Sequence, residues 1–310
     1  MKKKALIVYY TQSGQLREFI DSVCTPLKDD YELFYEELKP EPAFPFPWKG
    51  MSFYQVFPES VQETPCTLKP FSFDPRDDFD LIILAYQPWY LSASIPFTSF
   101  LQTEAAAGIL KGKPVITLIG SRNMWIMAHE RVKKRILDMG GKLIGNIVLS
   151  DTHHNLVSVV TIVHWMMKGE KYGKGLYRKI FPPAGIPVED IKASEKFGLI
   201  IRDTLRTDDF DDLQDKLLGE GAIKIKPVLM TVEKRGYAMF RPWAKFVLKK
   251  GGFDDPARVG RLKMFGTYLF TVIYLVSPIG GVVVWIIHKL GYRKTRKAVY
   301  YYSHNEIETR

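Results

Sequence analysis

The chain has 310 residues, of which 46% are hydrophobic and 25% are charged. This is the composition of an ordinary globular protein, and it excludes collagen-like, disulfide-rich and wholly disordered chains. The two cysteines, Cys24 and Cys66, are too few for a disulfide framework or a cysteine-based zinc site. A reducing compartment is therefore the simplest interpretation, and no metal site is expected.

The net charge of +10 is concentrated at the C-terminal end of the chain. Residues 1–155 have a net charge of −1 and residues 156–230 of +1, whereas residues 231–310 hold 15 Lys/Arg against 5 Asp/Glu. A basic segment this concentrated indicates an anionic partner. The two halves of the chain are therefore expected to have different roles.

The N-terminus is basic at residues 2–4 and apolar at residues 5–10. A secretory signal needs an apolar core of about 7–15 residues and a small-residue cleavage site, so this run is too short. We interpret it as a buried β-strand and expect the N-terminal region to be cytoplasmic.

The first half of the chain alternates between strand and helix patterns. Strands are predicted at residues 4–10, 31–38, 80–86, 114–119 and 142–149, and helices at residues 14–27, 95–110 and 128–139. Strand–helix alternation at this spacing predicts an α/β, doubly wound, five-stranded parallel sheet. Further along, helices are predicted at residues 156–167 and 188–206, with a Gly/Pro-rich loop at residues 169–187 between them.

A Pro- and aromatic-rich stretch at residues 40–70, the aromatic excursion, interrupts this alternation. A structureless loop of this length is unusual in a compact domain and is often functional. Its aromatic residues could form a lid or wall over a ligand; they are Phe44, Phe46, Trp48, Phe53, Tyr54 and Phe57. The alternative is an excursion that packs on the edge of the sheet.

The basic C-terminal region contains a long uncharged segment. Residues 264–288 run for 25 positions without Lys, Arg, Asp or Glu, long enough for a helix to cross a bilayer. The Ser-Pro-Ile-Gly-Gly sequence at residues 277–281 predicts a break or kink, and the two flanks are equally basic. We therefore expect a re-entrant or in-plane helical pair, with residues 244–303 on an anionic membrane surface.

Two alternatives stay open for this segment: a buried helix of a soluble domain and a kinked single crossing of the membrane. Nucleic acid is not expected as a partner, because the positive residues bracket an apolar run and do not form a polar stripe.

Three loops fall at predicted strand ends, the edge at which doubly wound sheets bind ligands. The first, Thr11-Gln12-Ser13-Gly14-Gln15-Leu16, offers hydroxyls, a glycine and the free amides of a helix N-terminus, which suit a phosphate. It has neither the lysine of a P-loop nor the glycine spacing of a dinucleotide fingerprint. The alternative is a helix N-cap by Ser13 with nothing bound.

The other two loops combine aromatic and polar residues. The loop after the third strand contains Gln87, Pro88, Trp89 and Tyr90, and the loop after the fourth contains Gly120, Ser121, Asn123 and Trp125. Such residues can stack on a flat ring and hydrogen-bond its polar edge.

Residues 4–150 resemble the flavodoxin-like fold, whose phosphate loop has the pattern Thr/Ser-x-Thr/Ser-Gly-x-Thr. Residues 11–16 are similar to it up to the last position, where Leu16 stands in place of Thr. The resemblance implies FMN as the cofactor, held by the residues of the three loops. Thr11, Ser13 and Gly14 would then contact the phosphate, while Trp89 and Tyr90 would flank the ring.

More narrowly, the opening at residues 9–16, the Gln87-Pro88-Trp89 loop and the basic apolar tail resemble the bacterial dialkylresorcinol condensing enzyme family. This family is associated with long-chain resorcinol lipids and flexirubin-type pigment esters. Condensation by a ketosynthase would need an activated cysteine with histidine partners, and neither cysteine lies at a predicted strand end. The resemblance fits better with a flavin-dependent step that aromatises a dialkyl-cyclohexanedione.

His153 and His154 follow the fifth strand and are the candidate catalytic bases, because the pKa of histidine lies near working pH. A solvated or capping histidine pair is the alternative interpretation for these two residues.

We predict a flavodoxin-like domain at residues 1–168, a linker and helical extension at residues 169–230, and a basic, apolar, membrane-associated helical segment at residues 231–310. The leading hypothesis is an FMN-dependent oxidoreductase that acts on a hydrophobic, lipid-like substrate at the inner face of the cytoplasmic membrane. The alternatives are a flavodoxin-type electron carrier with a donor or acceptor protein, and a flavin-free membrane scaffold for lipid or pigment biosynthesis.

Overall fold

The computed structural model describes residues 2–207 and 209–307, so the outermost residues of the predicted first and last regions lie outside the described residues. Its central sheet has five strands: β1 (Lys3–Tyr9), β2 (Tyr31–Glu37), β3 (Leu81–Tyr86), β4 (Pro114–Ser121) and β5 (Lys142–Ser150). They pair in parallel in the order β2-β1-β3-β4-β5. This is the flavodoxin-like order of a doubly wound sheet, which confirms the predicted fold class.

Helices surround the sheet and continue beyond it. The α-helices are α1 (Gln15–Cys24), α2 (Ser52–Gln55), α3 (Phe57–Gln62), α4 (Ile95–Phe100), α5 (Glu104–Leu110), α6 (Ile126–Asp138), α7 (Asn155–Lys168), α8 (Gly175–Ile180), α9 (Val188–Ala193), α10 (Glu195–Thr207), α11 (Leu213–Gly219), α12 (Pro227–Leu248), α13 (Val259–Thr271), α14 (Ser277–Leu290) and α15 (Tyr292–Ser303). A π-helical turn, Val272–Val276, joins α13 to α14, and 3-10 turns lie at Thr25–Asp29 and Pro256–Arg258.

Two predicted helices are interrupted. Residues 95–110 form α4 and α5, because Thr103 has an extended backbone and its hydroxyl accepts the N–H of Ala106, which starts a new helix. Residues 188–206 form α9 and α10, which meet at Ser194. The predicted loop at residues 169–187 contains the short helix α8.

The two faces of the sheet are buried separately, because side chains alternate along each strand. On β1, Leu6 and Val8 belong to the core beneath α4, α5 and α6, whereas Ala5 and Ile7 belong to the core beneath α1. Burial on both faces explains why the parallel strands have continuous apolar sequences.

The predicted linker and helical extension contributes to the core of the sheet. Phe197, Ile201 and Leu205 of α10 are buried together with the side chains of α1 and β1. The two helices approach so closely that a Cβ on Gly198 would lie 2.0 Å from the Val23 carbonyl oxygen. Glycine at this position therefore permits the packing of α10 on α1.

The aromatic excursion is folded and contains a short antiparallel ladder and the helices α2 and α3. Residues Pro40–Glu41 pair with Thr67–Leu68, and the N–H of Trp48 donates to the Met166 carbonyl of α7 at 2.8 Å. These bonds hold the excursion beside the carboxyl ends of the strands.

The C-terminal helices form an antiparallel arrangement. Ala244 and Val247, near the end of α12, pack on Leu262 of α13, while Thr231, near its start, hydrogen-bonds His288 of α14 at 2.8 Å. Of the predicted break or kink at residues 277–281, a break does not occur, because these residues are helical. The irregularity is the π-helical turn that precedes them. A proline lacks the N–H that would continue the preceding α-helical ladder, which accounts for a π-helical turn at this position.

A buried ion pair fixes these helices to the aromatic excursion. The Arg258 guanidinium is fully buried and donates to the Glu59 carboxylate at 2.6 and 2.8 Å, and also to the Gln55 carbonyl. Beside it, Phe57 and Phe265 stack with their ring centroids 3.5 Å apart. The contact therefore combines a desolvated charge pair with aromatic packing.

We predict that the substitution Arg258→Met lowers the free energy of unfolding by about 3–5 kcal/mol, because it leaves the Glu59 carboxylate buried without its partner. Urea denaturation measures this loss. The double substitution Arg258→Met/Glu59→Leu removes both charges and should recover most of it. A loss below about 1 kcal/mol in the single variant would contradict the prediction.

Candidate functional site

A cavity of about 260 Å³ lies at the carboxyl ends of β1, β3 and β4, and we call it the strand-end pocket. Ten of the predicted cofactor-binding residues line it: Gln12, Ser13, Gln15, Leu16, Gln87, Pro88, Trp89, Tyr90, Gly120 and Ser121. The structure thus brings the three predicted loops together, as expected for the edge at which parallel strands end.

The first loop ends at a helix N-terminus with free donors. Gly14 has a φ of +85°, and its N–H donates to the Thr11 hydroxyl at 3.1 Å, so Thr11 and Gly14 shape the loop without lining the cavity. Within the described residues, the N–H groups of Ser13, Gln15 and Leu16 have no hydrogen-bond acceptor. Such a set of N–H groups at a helix start favours an anion.

Leu16 and Gln15 have structural roles in this loop. The Leu16 side chain is buried against Gly120 and Ile186, so it supplies packing where the flavodoxin pattern has a hydroxyl. The Gln15 amide bonds both the N–H and the carbonyl of Ile186 at 2.9 Å. Gly185 directly precedes Ile186 and has a φ of +82°. A Cβ at this position would lie 2.6 Å from the Gln15 Oε1.

The second loop places polar and aromatic groups in the pocket. The Gln87 Oε1 accepts the N–H of Gln12 at 3.4 Å, whereas its Nε2 is buried without an acceptor in the described part of the chain. Trp89 packs edge-to-face on Tyr10 and Trp48, at 5.7 and 5.5 Å between ring centroids. The Tyr90 hydroxyl donates to the Phe53 carbonyl at 2.8 Å.

The aromatic excursion forms one wall of the pocket through Phe46, Trp48 and Phe53. The Trp48 Nε1 is buried and, among residues 2–207 and 209–307, finds no acceptor. Trp165 and Met166 of α7 complete this wall. Sequence reasoning did not identify these two residues; their only signal was a position at the end of an apolar helix.

Arg122 also lines the pocket and was not among the predicted site residues. Its guanidinium donates to the carbonyl and the side-chain oxygen of Asn155 at 3.2 and 2.9 Å. Burial lowers its pKa to about 10, against the opposing effect of Asp151, so the side chain is a cation at neutral pH. Its place directly after β4 was the signal that could have found it.

Asn123 and Trp125 lie elsewhere, in a second cavity of about 280 Å³ between the end of β5 and α12. Glu233 of α12 also lines this cavity, and its carboxylate accepts the N–H of Met127 at 2.7 Å. Burial raises the pKa of Glu233 to about 7, although hydrogen bonds from the start of α6 oppose the shift.

The two candidate catalytic histidines line neither cavity. The His153 ring and its N–H both bond the Asp151 carboxylate, at 2.7 and 2.9 Å, and the other carboxylate oxygen accepts the Ser158 hydroxyl. His154 is exposed at the start of α7. His153 is therefore held by Asp151, and His154 is solvated and makes no capping side-chain hydrogen bond. Within the described residues, no histidine lines the strand-end pocket.

Comparison with known proteins found similar solved structures but no matching family model and no matching curated protein. A flavoprotein in complex with FMN from Lactobacillus acidophilus NCFM is 17% identical over 47% of this chain and 93% of its own, with a TM-score of 0.39. A flavodoxin from the domain Archaea is 12% identical over 66% and 99%, with a TM-score of 0.35. Because both TM-scores are low, the fold assignment rests on the strand order itself.

The raised pKa of Glu233 predicts a specific pH dependence of stability. Its folded-state pKa of about 7 exceeds the ordinary value, so its contribution is fully present below about pH 4 and is lost as the pH rises through 7. The substitution Glu233→Gln removes this titration. Between pH 4 and pH 8, the free energy of unfolding of the variant should therefore rise by up to about 3 kcal/mol relative to that of the wild type.

Urea denaturation at the two pH values measures this change, and Glu104→Gln, at an exposed position on α5, is the matched control. An equal pH dependence in the Glu233→Gln variant and the wild type would contradict the assignment.

Proposed function

We propose that this chain is a flavoprotein that binds FMN in the strand-end pocket and uses it in a redox reaction on an apolar substrate. The observation that carries the proposal is a set of unsatisfied donors around one cavity. The buried Gln87 Nε2 and Trp48 Nε1 have no acceptor among the described residues, and the free N–H groups of α1 lie at the same edge. Buried donors without partners are uncommon in folded proteins, and two of them at one cavity edge fit a ligand with acceptor groups.

The lining matches the chemistry of this cofactor. The N–H groups of Ser13, Gln15 and Leu16 would hold the phosphate, with the Ser13 hydroxyl as a further donor. The Gln87 amide would bond the polar edge of the ring, beside the apolar side chains of Trp89 and the aromatic excursion. When bound, FMN supplies the capacity to accept or donate a hydride or single electrons.

The wall of the pocket supports an apolar substrate. Phe46, Ile162 and Met166 give one side of the cavity an apolar lining, and Arg122 is the only Lys or Arg in the described lining. Its charge would stabilise negative charge that develops on a bound substrate. A dialkyl-cyclohexanedione, the substrate that the sequence resemblance implies, would give up one hydrogen as hydride to FMN and one as a proton.

The lack of a proton acceptor in the described lining favours a second candidate function. Within the described residues, no carboxylate or imidazole lines the strand-end pocket. A proton released there has to leave through water, whereas electron transfer alone needs no base. A flavodoxin-type electron carrier is therefore the second proposal, and a flavin-free scaffold is the outcome if no flavin binds.

The test is a titration of the purified protein with FMN, monitored by visible absorption. We expect the flavin bands to shift on binding. The substitution Gln87→Leu should weaken the affinity about 5–10-fold, because one hydrogen bond contributes about 1–1.5 kcal/mol. Gln62→Leu, on α3 outside both cavities, should leave it unchanged. Absence of any spectral shift would leave the flavin-free scaffold.

A second experiment addresses the role of Arg122. Loss of its positive charge in Arg122→Gln should lower the reduction potential of bound FMN by roughly 20–40 mV, because reduced flavin is the more anionic form. Arg178→Gln, at an exposed position on α8, is the control. An unchanged potential in Arg122→Gln would place this cation away from the flavin.

Anaerobic addition of a dialkyl-cyclohexanedione separates the two redox functions. Bleaching of the flavin absorbance is expected for the oxidoreductase. Oxidised flavin that this compound leaves unchanged, but that a reductase protein reduces, is expected for the carrier.

A further inference from the structure

The C-terminal helices expose a large apolar surface, which we call the apolar tail face. Its side chains are 46–84% exposed, and they are Phe270, Leu275, Val276, Val282, Val283, Trp285, Ile286, Ile287 and Leu290. On the same stretch of helix, Val284 is buried against the rest of the molecule. Soluble monomers rarely expose contiguous apolar patches of this kind, and such patches mark protein or membrane contacts.

Exposed positive charge lies next to this face. Lys289, Arg293, Lys294, Arg296 and Lys297 are all exposed on α14 and α15. Among the described residues, none of them forms an ion pair with a carboxylate. Residues 256–305 contain no Asp or Glu at all, so nothing in this stretch balances the charge. The face is therefore complementary to an apolar surface with an anionic border.

The packing of α12 decides between crossing a membrane and lying on it. The segment Pro256–Val276 is long and apolar enough to span a bilayer, a property that buried helices of soluble proteins share. However, α12 runs alongside both α13 and α14 and exposes Lys234, Arg235, Arg241 and Lys245. A crossing would carry these charges into the hydrocarbon region, at high cost.

We propose that the apolar tail face docks in the plane of an anionic phospholipid bilayer. The apolar side chains would enter the boundary between head groups and acyl chains, and the basic residues of α14 and α15 would contact the head groups. Trp285 suits this position, since indole rings favour the membrane interface. The docking does not depend on the proposed flavin, so the two proposals fail or succeed separately.

Cosedimentation of the full chain with vesicles tests the docking. We expect binding to vesicles of mixed phosphatidylcholine and phosphatidylglycerol, and at least about tenfold weaker binding to phosphatidylcholine alone, because each basic residue at an anionic surface contributes roughly fivefold. The substitution Ile286→Ser/Ile287→Ser should reduce binding to the mixed vesicles by about tenfold or more. Leu176→Ser/Ile180→Ser changes two exposed apolar residues on α8 and should have no effect.

A second pair of variants tests the charges. Arg293→Gln/Lys294→Gln/Lys297→Gln should weaken binding to the mixed vesicles by tenfold or more, whereas Lys111→Gln/Lys142→Gln/Lys192→Gln, at exposed positions elsewhere, should weaken it far less.

Equal cosedimentation of the tail variants and their controls would overturn the proposal. So would a dimer, seen by size-exclusion chromatography, that does not bind vesicles and that dissociates in the Ile286→Ser/Ile287→Ser variant. That result would make the face an interface between two copies of the chain.

Discussion

The parallel sheet has to be covered on both faces, and this requirement determines where the later segments pack. After β5, helix α7 turns towards the aromatic excursion and leaves the face beside α1 open. Helices α10 and α11 fill that face, and Gln214 of α11 accepts the N–H of Asn146 on the edge strand β5. To reach this position, the chain passes the start of α1, where Gln15 bonds Ile186. One wall of the strand-end pocket therefore results from covering the sheet.

The pocket combines segments that are far apart in the chain. Its floor comes from strand ends, its aromatic wall from residues 40–70 and α7, and its positive charge from Arg122. The result is a mostly apolar cavity with a few directional donors, which is the composition of cofactor sites. The absence of an acid or base from the described lining limits the chemistry that the site itself can perform to binding, orientation and stabilisation of negative charge.

The C-terminal helices have one buried and one exposed side. The ion pair between Arg258 and Glu59 determines which side packs against the rest of the protein. The Arg258 guanidinium is held at the aromatic excursion, and Phe265 stacks on Phe57 beside it. The side chains of the apolar tail face, further along the chain, are exposed. Tyr274 lies close enough to Arg122 to influence its pKa. The π-helical turn that bears Tyr274 therefore lies near the strand-end pocket.

The sequence by itself determined the five strands, their parallel arrangement and the edge at which the three loops meet, because buried strands and helix starts leave strong local patterns. It also located the long apolar segment and its basic flanks. It could not place Trp165, Met166 or Arg122 in the pocket, or separate Asn123, Trp125 and the two histidines from it, since these positions depend on the path of the chain after β5. Only the tertiary structure decided that residues 277–281 continue a helix, because a π-helical turn before them accommodates the missing N–H of the proline without ending the helix.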